Sequence, residues 1–355
     1  HINKEENLFL FVKEENMAIT IADIAKEAGV SISTVSRVMN GTKPVSPKLK
    51  EKVYKIIEKN NYTPNALAQS LITKKTNIVG VIVPDISNVV FGALTKGIND
   101  ICSNEGYTIM VCESRGELEE ELKLLNILED RKIDGVLFAG VDVNKELTDA
   151  MQKKEYPVVL VTQEAVQGEH VIDTVTHDNL QAVYDAVRFL YDSGHERIAY
   201  IGGPKHDFSS GQKRIKGYKK ALDELGISVP ESYIEQGEFS FQSGYDGMKK
   251  IYEENSILPT AVVAGSDLIA LGAMQFLNSI GMSVPADMSI IGFDDLEFSI
   301  YCRPELSTVR IPYFEEGQKA AKELLKYMKG TKEYAATHYV AHKIIRRGTI
   351  KDIHK

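Results

Sequence analysis

The chain has 355 residues, 43% hydrophobic and 26% charged, with a formal net charge of −8. That length suits two or three domains and that apolar fraction fills real cores, which excludes disordered, fibrous and disulfide-stapled classes. No apolar run reaches about 18 residues, so no membrane-spanning helix is expected. The charge is unevenly spread. Residues 17–76 carry ten Lys and Arg against four Asp and Glu, so the acidity lies elsewhere in the chain. A basic head on an acidic body fits a phosphate-contacting module joined to one that need not touch phosphate. Cys102, Cys112 and Cys302 show no CxxC or Cys/His metal spacing. Reduced thiols in a cytoplasmic protein are expected.

Residues 1–16 hold one short apolar run, 8–12, between acidic clusters. The run is too short for a signal-peptide core and no basic segment precedes it. This stretch is expected to lie outside the fold. Residues 20–40, TIADIAKEAGVSISTVSRVMN, read as two short helices broken at Gly29. Thr20 is an N-cap type, and Ile21, Ile24, Ala25 and Ala28 recur at helical spacing. Gly29 supplies the left-handed residue that ends the first helix. Ser31 caps the second, where Val35, Val38 and Met39 form an apolar face opposite Ser33, Ser36 and Arg37. Two helices joined by a tight glycine turn, the second with a small-polar and basic face, make the helix-turn-helix pattern of DNA-binding proteins. An ordinary αα-hairpin is the plainer alternative.

Ser46 followed by Pro47 starts a third helix, to about Asn60. Leu49, Val53, Ile56 and Ile57 face inward; Lys48, Lys52, Lys55 and Lys59 face outward, either solvated or set against phosphates. The stretch YTPNALAQSL, within 62–76, offers about two turns of helix, too short to hold alone. It is either a linker or a helix that forms only against its copy from a second subunit on DNA. Ala66 and Ala68 would permit that close packing, and Leu71 would act as a wedge in the minor groove.

From residue 78 strands and helices alternate. Strands are expected at 78–85, 107–113, 134–140 and 157–163, with helices at 89–105, 117–132 and 144–154 between them. A crossover near 170–178 and a helix to about residue 193 follow. The pattern then restarts, with strands at 197–204, 232–239, 260–267 and 289–295 and helices at 209–226, 241–255 and 268–281. A strand at 307–312, a helix at 313–329 and a last strand at 337–347 close the chain. Repeated β-α units predict an α/β fold with two parallel, doubly wound lobes and a cleft at the C-terminal strand ends. The lobes are expected at 77–176 with 308–334 and at 177–307 with 335–355.

No dinucleotide glycine fingerprint, P-loop, GxSxG or HExxH is present, and IGGP at 201–204 reads as a strand end. His177, His195 and His206 have no partners at metal spacing, and Asp294 with Asp295 lacks the further oxygen ligands a hard cation needs. No enzyme, metal or cofactor is expected. A polar ligand wants a fork-shaped donor, carboxylate acceptors and an aromatic platform. Arg214, Asp294 and Phe239 supply these at predicted strand ends or helix starts, with Phe91 as a second apolar wall. Asp267 is expected to cap the helix that follows it.

The stretches TIADIAKEAGVSISTVSRVMN, YTPNALAQSL, TNIVGVIVPDISN, DGVLFAG, RIKGYKKAL, SIIGFDD and RPELSTV resemble the lac/galactose repressor family over essentially all of residue 17 onward. The resemblance implies a homodimeric regulator with a head on a palindromic double-stranded operator and a periplasmic-binding-protein-like body. It implies that Ile32, Ser33 and Arg37 face base edges, that Thr20, Ser31, Thr34 and Asn40 serve the DNA contact, and that Asn65, Ala68 and Leu71 belong to a hinge helix. Arg214, Phe239 and Asp294 fall on its positions for a sugar or sugar-phosphate effector, and Ser266 sits where a polar effector contact is often found. GVSISTVSRVMNG, SYIEQGEFSFQSG and HKIIRRGTIK lean toward catabolite-control members, which implies, as an alternative, a serine-phosphorylated phosphocarrier protein as corepressor. Gln69, GFDDLEF and Tyr301-Cys302 depart from those members.

Overall fold

The computed structural model describes residues 19–40, 44–60, 62, 75–166 and 172–353, the side chain of Asn40 excepted. The chain divides into two compact units, His1–Thr76 and Asn77–Lys355. The first contains α1 (Ile21–Ala28), α2 (Ile32–Asn40) and α3 (Pro47–Lys59). Thr20 and Asp23 close a reciprocal capping box at the start of α1, with Thr20 N donating to Asp23 Oδ2 at 2.9 Å. Gly29 ends α1 at φ 68°. Ser31 Oγ accepts from the amide of Thr34 at 3.2 Å and so caps α2. Ile24, Ala25, Ala28, Val35, Val38, Val53 and Ile56 form the small core. Lys59 and Asn60 both donate to Glu27, at 2.7 and 2.8 Å, tying the end of α3 to α1.

The second unit holds two six-stranded sheets. The first contains β1 (Ile78–Val83), β2 (Thr108–Glu113), β3 (Gly135–Phe138), β4 (Val158–Val161), β5 (Asp173–His177) and β11 (Thr337–Val340), in the order β11-β5-β4-β3-β1-β2. Every pairing in it is parallel. The second contains β6 (Ile198–Gly202), β7 (Ile234–Gln236), β8 (Ala261–Ala264), β9 (Ser289–Asp294), β10 (Ser307–Arg310) and β12 (Lys343–Ile345), in the order β12-β10-β9-β8-β6-β7. Only β12 runs antiparallel to its neighbour. Helices α4 (Val89–Asn104), α5 (Leu118–Asp130) and α6 (Lys145–Gln152) connect the first sheet; α7 (Asn179–Asp192), α8 (Lys213–Leu225), α9 (Phe241–Glu254) and α10 (Asp267–Ser279) connect the second. An eleventh helix, α11 (Tyr313–Met328), returns to the first lobe. Apolar clusters fill both faces of each sheet.

Three expectations are corrected. The crossover at 170–178 contains β5, whose residues DTVTH are all buried. Its polar side chains find partners: Thr176 Oγ1 donates to Thr162 O at 3.0 Å, and Asp173 accepts from the half-buried Lys332 at 2.7 Å. Polarity hid a central strand. The last strand is two strands, because β11 pairs with β5 in one lobe and β12 with β10 in the other. The lobe boundaries shift with them. Strand β10 pairs with β9 and belongs to the second lobe, while β11 belongs to the first. The chain therefore crosses between lobes at 177–179, 310–313 and 340–343.

Helices α4 and α11 touch backbone to backbone. A Cβ on Gly97 would run into the carbonyl of Phe314, and one on Gly317 into that of Leu94. Gly97→Ala must push the pair apart, and such overpacking costs about 1–3 kcal/mol. A fall of several degrees in the thermal unfolding midpoint is expected; an unchanged midpoint would show that the helices separate freely.

Candidate ligand cleft and nucleic-acid interface

On the head, the N-terminal half of α2 is presented to solvent. Ile32 is 50% exposed, a large apolar side chain with no core to enter, and Ser33 and Arg37 are exposed beside it. The hydroxyl of Ser31 lies 2.8 Å from those of Ser33 and Thr34. Val35 and Val38 are buried behind this face. The helix can thus be read from one side while its other side is held rigid. Thr20 is occupied by its capping box. Of the outward lysines, Lys55 pairs with Glu51 at 2.8 Å and Lys59 with Glu27. Asn65, Ala68 and Leu71, the expected hinge positions, lie outside the described residues, as do residues 1–16.

In the body a cleft of about 380 Å³ opens at the C-terminal strand ends of both lobes, and it is lined by Phe91, Arg214, Phe239, Ser266 and Asp294 together. Five positions spread over two hundred residues of sequence meet in one cavity. Arg214 sits in the first turn of α8, beyond a π-turn at Phe208–Gln212. It is 4% exposed. Its Nε donates to Asn179 Oδ1 at 2.7 Å and its Nη1 to the carbonyl of Gly265 at 2.5 Å. Its guanidinium carbon lies 3.7 Å from the centre of the Phe293 ring and 5.5 Å from that of Phe239. Stacking and two anchors fix the fork. Gly203 is required because its Cβ would occupy the Phe239 ring, which explains the second glycine of IGGP.

Asp294 ends β9 with φ 114° and is 7% exposed. Its Oδ1 accepts from the hydroxyl of Tyr313 at 2.7 Å. Burial raises its carboxyl above the ordinary range, while the Arg214 charge and the Tyr313 hydroxyl pull the other way. Ser266, not Asp267, caps α10, accepting from the amide of Ile269 at 3.2 Å. Asp267 instead is fully buried under the cleft and accepts from Leu296 N, Ser299 Oγ and Thr308 Oγ1, at 2.7, 2.7 and 2.6 Å. Burial and the neighbouring Asp294 push it up to about 7.

Sequence reasoning missed His177, Asn179 and Tyr313. His177 and Tyr313 line the cleft, and Asn179 holds Arg214. All three lie at interlobe crossings, a position visible only once strands are assigned to sheets. Among the described residues, Asp173, Glu323 and His338 converge at metal-like spacing. The Lys332 ammonium sits among them, 2.7 and 2.8 Å from the carboxylates, in the place a cation would take.

A helix-turn-helix unit carried in one chain with a two-lobed, ligand-cleft body defines a class of ligand-responsive DNA-binding proteins. Residues 20–65 match the family described as bacterial regulatory proteins, lacI family, and residues 187–350 match a periplasmic binding protein-like domain. Catabolite control protein A of Priestia megaterium is 39% identical over 94% of this chain and 100% of its own. The HTH-type transcriptional regulator DegA of Bacillus subtilis is 36% identical over 85% of this chain and 89% of its own. Among solved structures, the lac repressor dimer bound to operator and the anti-inducer ONPF is 26% identical, with a TM-score of 0.84 over 93% of this chain and 98% of its own. A complex of the regulator CelR with cellobiose is 27% identical, with a TM-score of 0.73 over 93% of this chain and 99% of its own. The chain belongs to the lacI family and is a DNA-binding transcription regulator. No helix among the described residues is long and apolar enough to cross a membrane.

Glu121, in the first turn of α5 behind the cleft wall at Gly140, is 2% exposed and is met by the Ser114 hydroxyl at 3.4 Å. Burial pushes its carboxyl up to about 7, from an ordinary 4.5. The folded chain keeps a proton there that the unfolded chain has released. Stability from this group therefore falls as pH rises from 4.5 through 7 and levels off above. In urea unfolding, Glu121→Gln is expected to gain stability relative to the parent between pH 5 and pH 8. A difference that stays constant with pH would contradict the assignment.

Proposed function

We propose that the chain is a cytoplasmic homodimeric repressor of carbohydrate-use genes, not an enzyme, which binds a palindromic operator and is controlled by a sugar in the interlobe cleft. The observation that carries this reading is the cleft itself: a fixed guanidinium, a buried carboxylate and an aromatic wall, in one chain with a helix whose polar and basic face is presented to solvent. Forked donors and carboxylate acceptors beside a ring suit adjacent hydroxyls on an apolar sugar face. Phe91, Arg214, Phe239, Ser266 and Asp294 make that contact. On the head, Ile32, Ser33 and Arg37 face base edges. Ser31, Thr34 and Asn40 touch phosphate, and Thr20 orders the start of α1. Asn65, Ala68 and Leu71 form the hinge helix, with Leu71 prising the central base step.

The control step is a population shift. Ligand in the cleft changes the angle between the lobes, and so the spacing at which two hinge segments meet. A two-turn helix has no stability of its own, so spacing decides whether it forms. Coupling of this kind is typically about 1–3 kcal/mol and never exceeds the ligand's differential affinity for the two states.

A second reading is favoured by the 39% identity to a catabolite control protein A. In it the chain is a global regulator whose corepressor is a serine-phosphorylated phosphocarrier protein. Operator affinity at fixed salt, on a palindrome with a central CG step, separates the two. Tighter binding in the presence of that phosphoprotein supports the global regulator; a response to sugars alone supports the local repressor. A salt slope no steeper than that of an acidic protein without a DNA site would refute both.

Arg37→Ala is expected to cost about 1–3 kcal/mol on the preferred half-site and to flatten base preference at one position. Unchanged preference across a half-site library would make Arg37 a phosphate contact only. Leu71→Ala is expected to weaken operator binding far more than nonspecific DNA binding. Equal losses on both duplexes would remove the wedge role.

A further inference from the structure

Four buried side-chain atoms among the described residues have no hydrogen-bond partner: His177 Nε2, Asn179 Nδ2, Tyr200 Oη and Glu316 Oε1. Of the four side chains, His177 alone lines the cleft. It is 1% exposed and is the last residue of β5, where the chain leaves the first lobe. Its ring is set by its surroundings. Tyr313 meets it edge-on, centroids 5.8 Å apart, and Phe293 lies at 6.2 Å. Its Nδ1 is 3.2 Å from Glu316 Oε2 on α11.

A buried polar atom without a partner costs about 1–3 kcal/mol, so a native structure keeps one where something else satisfies it. With the Nδ1 hydrogen given to Glu316 Oε2, the neutral ring leaves Nε2 a bare acceptor facing the cleft. The adjoining groups mix donors and acceptors, as a hydroxyl requires: Asp294 accepts, Ser266 Oγ already accepts from Ile269 and keeps its hydrogen to give, and the positive charge of Arg214 is shared with Asp294. A phosphate or carboxylate at this end of the cleft would meet Asp294 and an acceptor nitrogen. A hydroxyl would give its hydrogen to the nitrogen and lose nothing.

We propose that His177 is a ligand-reading residue whose Nε2 accepts a hydrogen bond from a hydroxyl of an uncharged sugar, with Glu316 as the positioning residue that holds the ring and its tautomer. This rests on the sugar reading given above. It makes His177 a specificity determinant, because a ligand lacking that hydroxyl leaves the nitrogen unsatisfied in the closed cleft.

Two substitutions divide the ring chemically. His177→Asn keeps a polar group where Nδ1 meets Glu316 and removes Nε2. His177→Gln reaches the Nε2 position and gives up the Nδ1 contact. The full-length protein and both variants are titrated calorimetrically with D-ribose, D-glucose, D-galactose, their phosphates and their monodeoxy derivatives, with the thermal midpoint of each variant recorded. For the unphosphorylated sugar the parent binds best, one deoxy derivative is expected to bind about tenfold more weakly. His177→Asn is expected to abolish that one difference and leave the others, while His177→Gln retains part of it. If one variant fails to fold, the other still tests the contact: loss of the difference in Asn, or its partial retention in Gln. If His177→Asn, or failing it His177→Gln, discriminates every deoxy derivative as the parent does, His177 does not touch the ligand and the proposal fails while the sugar reading stands. If the parent binds only phosphorylated sugars, the proposal fails on charge. If the parent takes up none of the panel, the sugar reading itself is overturned.

Discussion

A carboxylate held out of water is the constraint on which the body of this protein turns. Asp294 is almost fully buried, in a left-handed backbone conformation at the end of β9. An unpaired buried carboxylate is among the most expensive groups a fold can carry. Here the cost is offset by Arg214 on the same lobe and by the hydroxyl of Tyr313. Tyr313 begins α11, which packs on α4 in the other lobe. That hydrogen bond joins the lobes at the cleft, alongside Lys213 to Glu164 and the Glu164 amide to Ser209 Oγ. A ligand that meets Asp294 competes for, or adds to, one of the contacts between the lobes.

The same economy explains the polar interior nearby. Strand β5 buries Asp173, Thr174, Thr176 and His177; Asp173, Thr176 and His177 are met from elsewhere in the chain, and Thr174 donates to the carbonyl of Ile172 just before the strand. A central strand built this way is strong only while its partners stay in place. Tight glycine contacts between α4 and α11 keep α11 from drifting, so Glu316 and Tyr313 present fixed atoms to the cleft. In the head the division of labour is simpler. Seven buried apolar residues hold three short helices, and the capping box and glycine turn set the angle at which α2 is shown.

Membership of the lacI family joins these two units into one device. Among the described residues, the apolar clusters of head and body share no members.

The residues alone determined a good deal. Helical spacing with a cap and a glycine placed α1, the turn and α2 within a residue or two. Alternating apolar runs and amphipathic stretches placed most strands and helices of both lobes, because burial on two faces leaves an unmistakable apolar run. Arg214, Asp294, Phe239, Ser266 and Phe91 were legible as ligand-type residues from chemistry and family resemblance, and they line one cavity. Tertiary structure decided the rest. It assigned β10 and β11 to opposite lobes, since which sheet a strand joins depends on partners far away in the chain. It made DTVTH a buried strand, since polar side chains read as surface until their partners are known. It moved the helix cap from Asp267 to Ser266 and buried Asp267 beneath the cleft, a one-residue difference that only the backbone path resolves. And it turned His177 from an isolated ring into part of the cleft wall, because a crossing between lobes brings together residues that no local pattern connects.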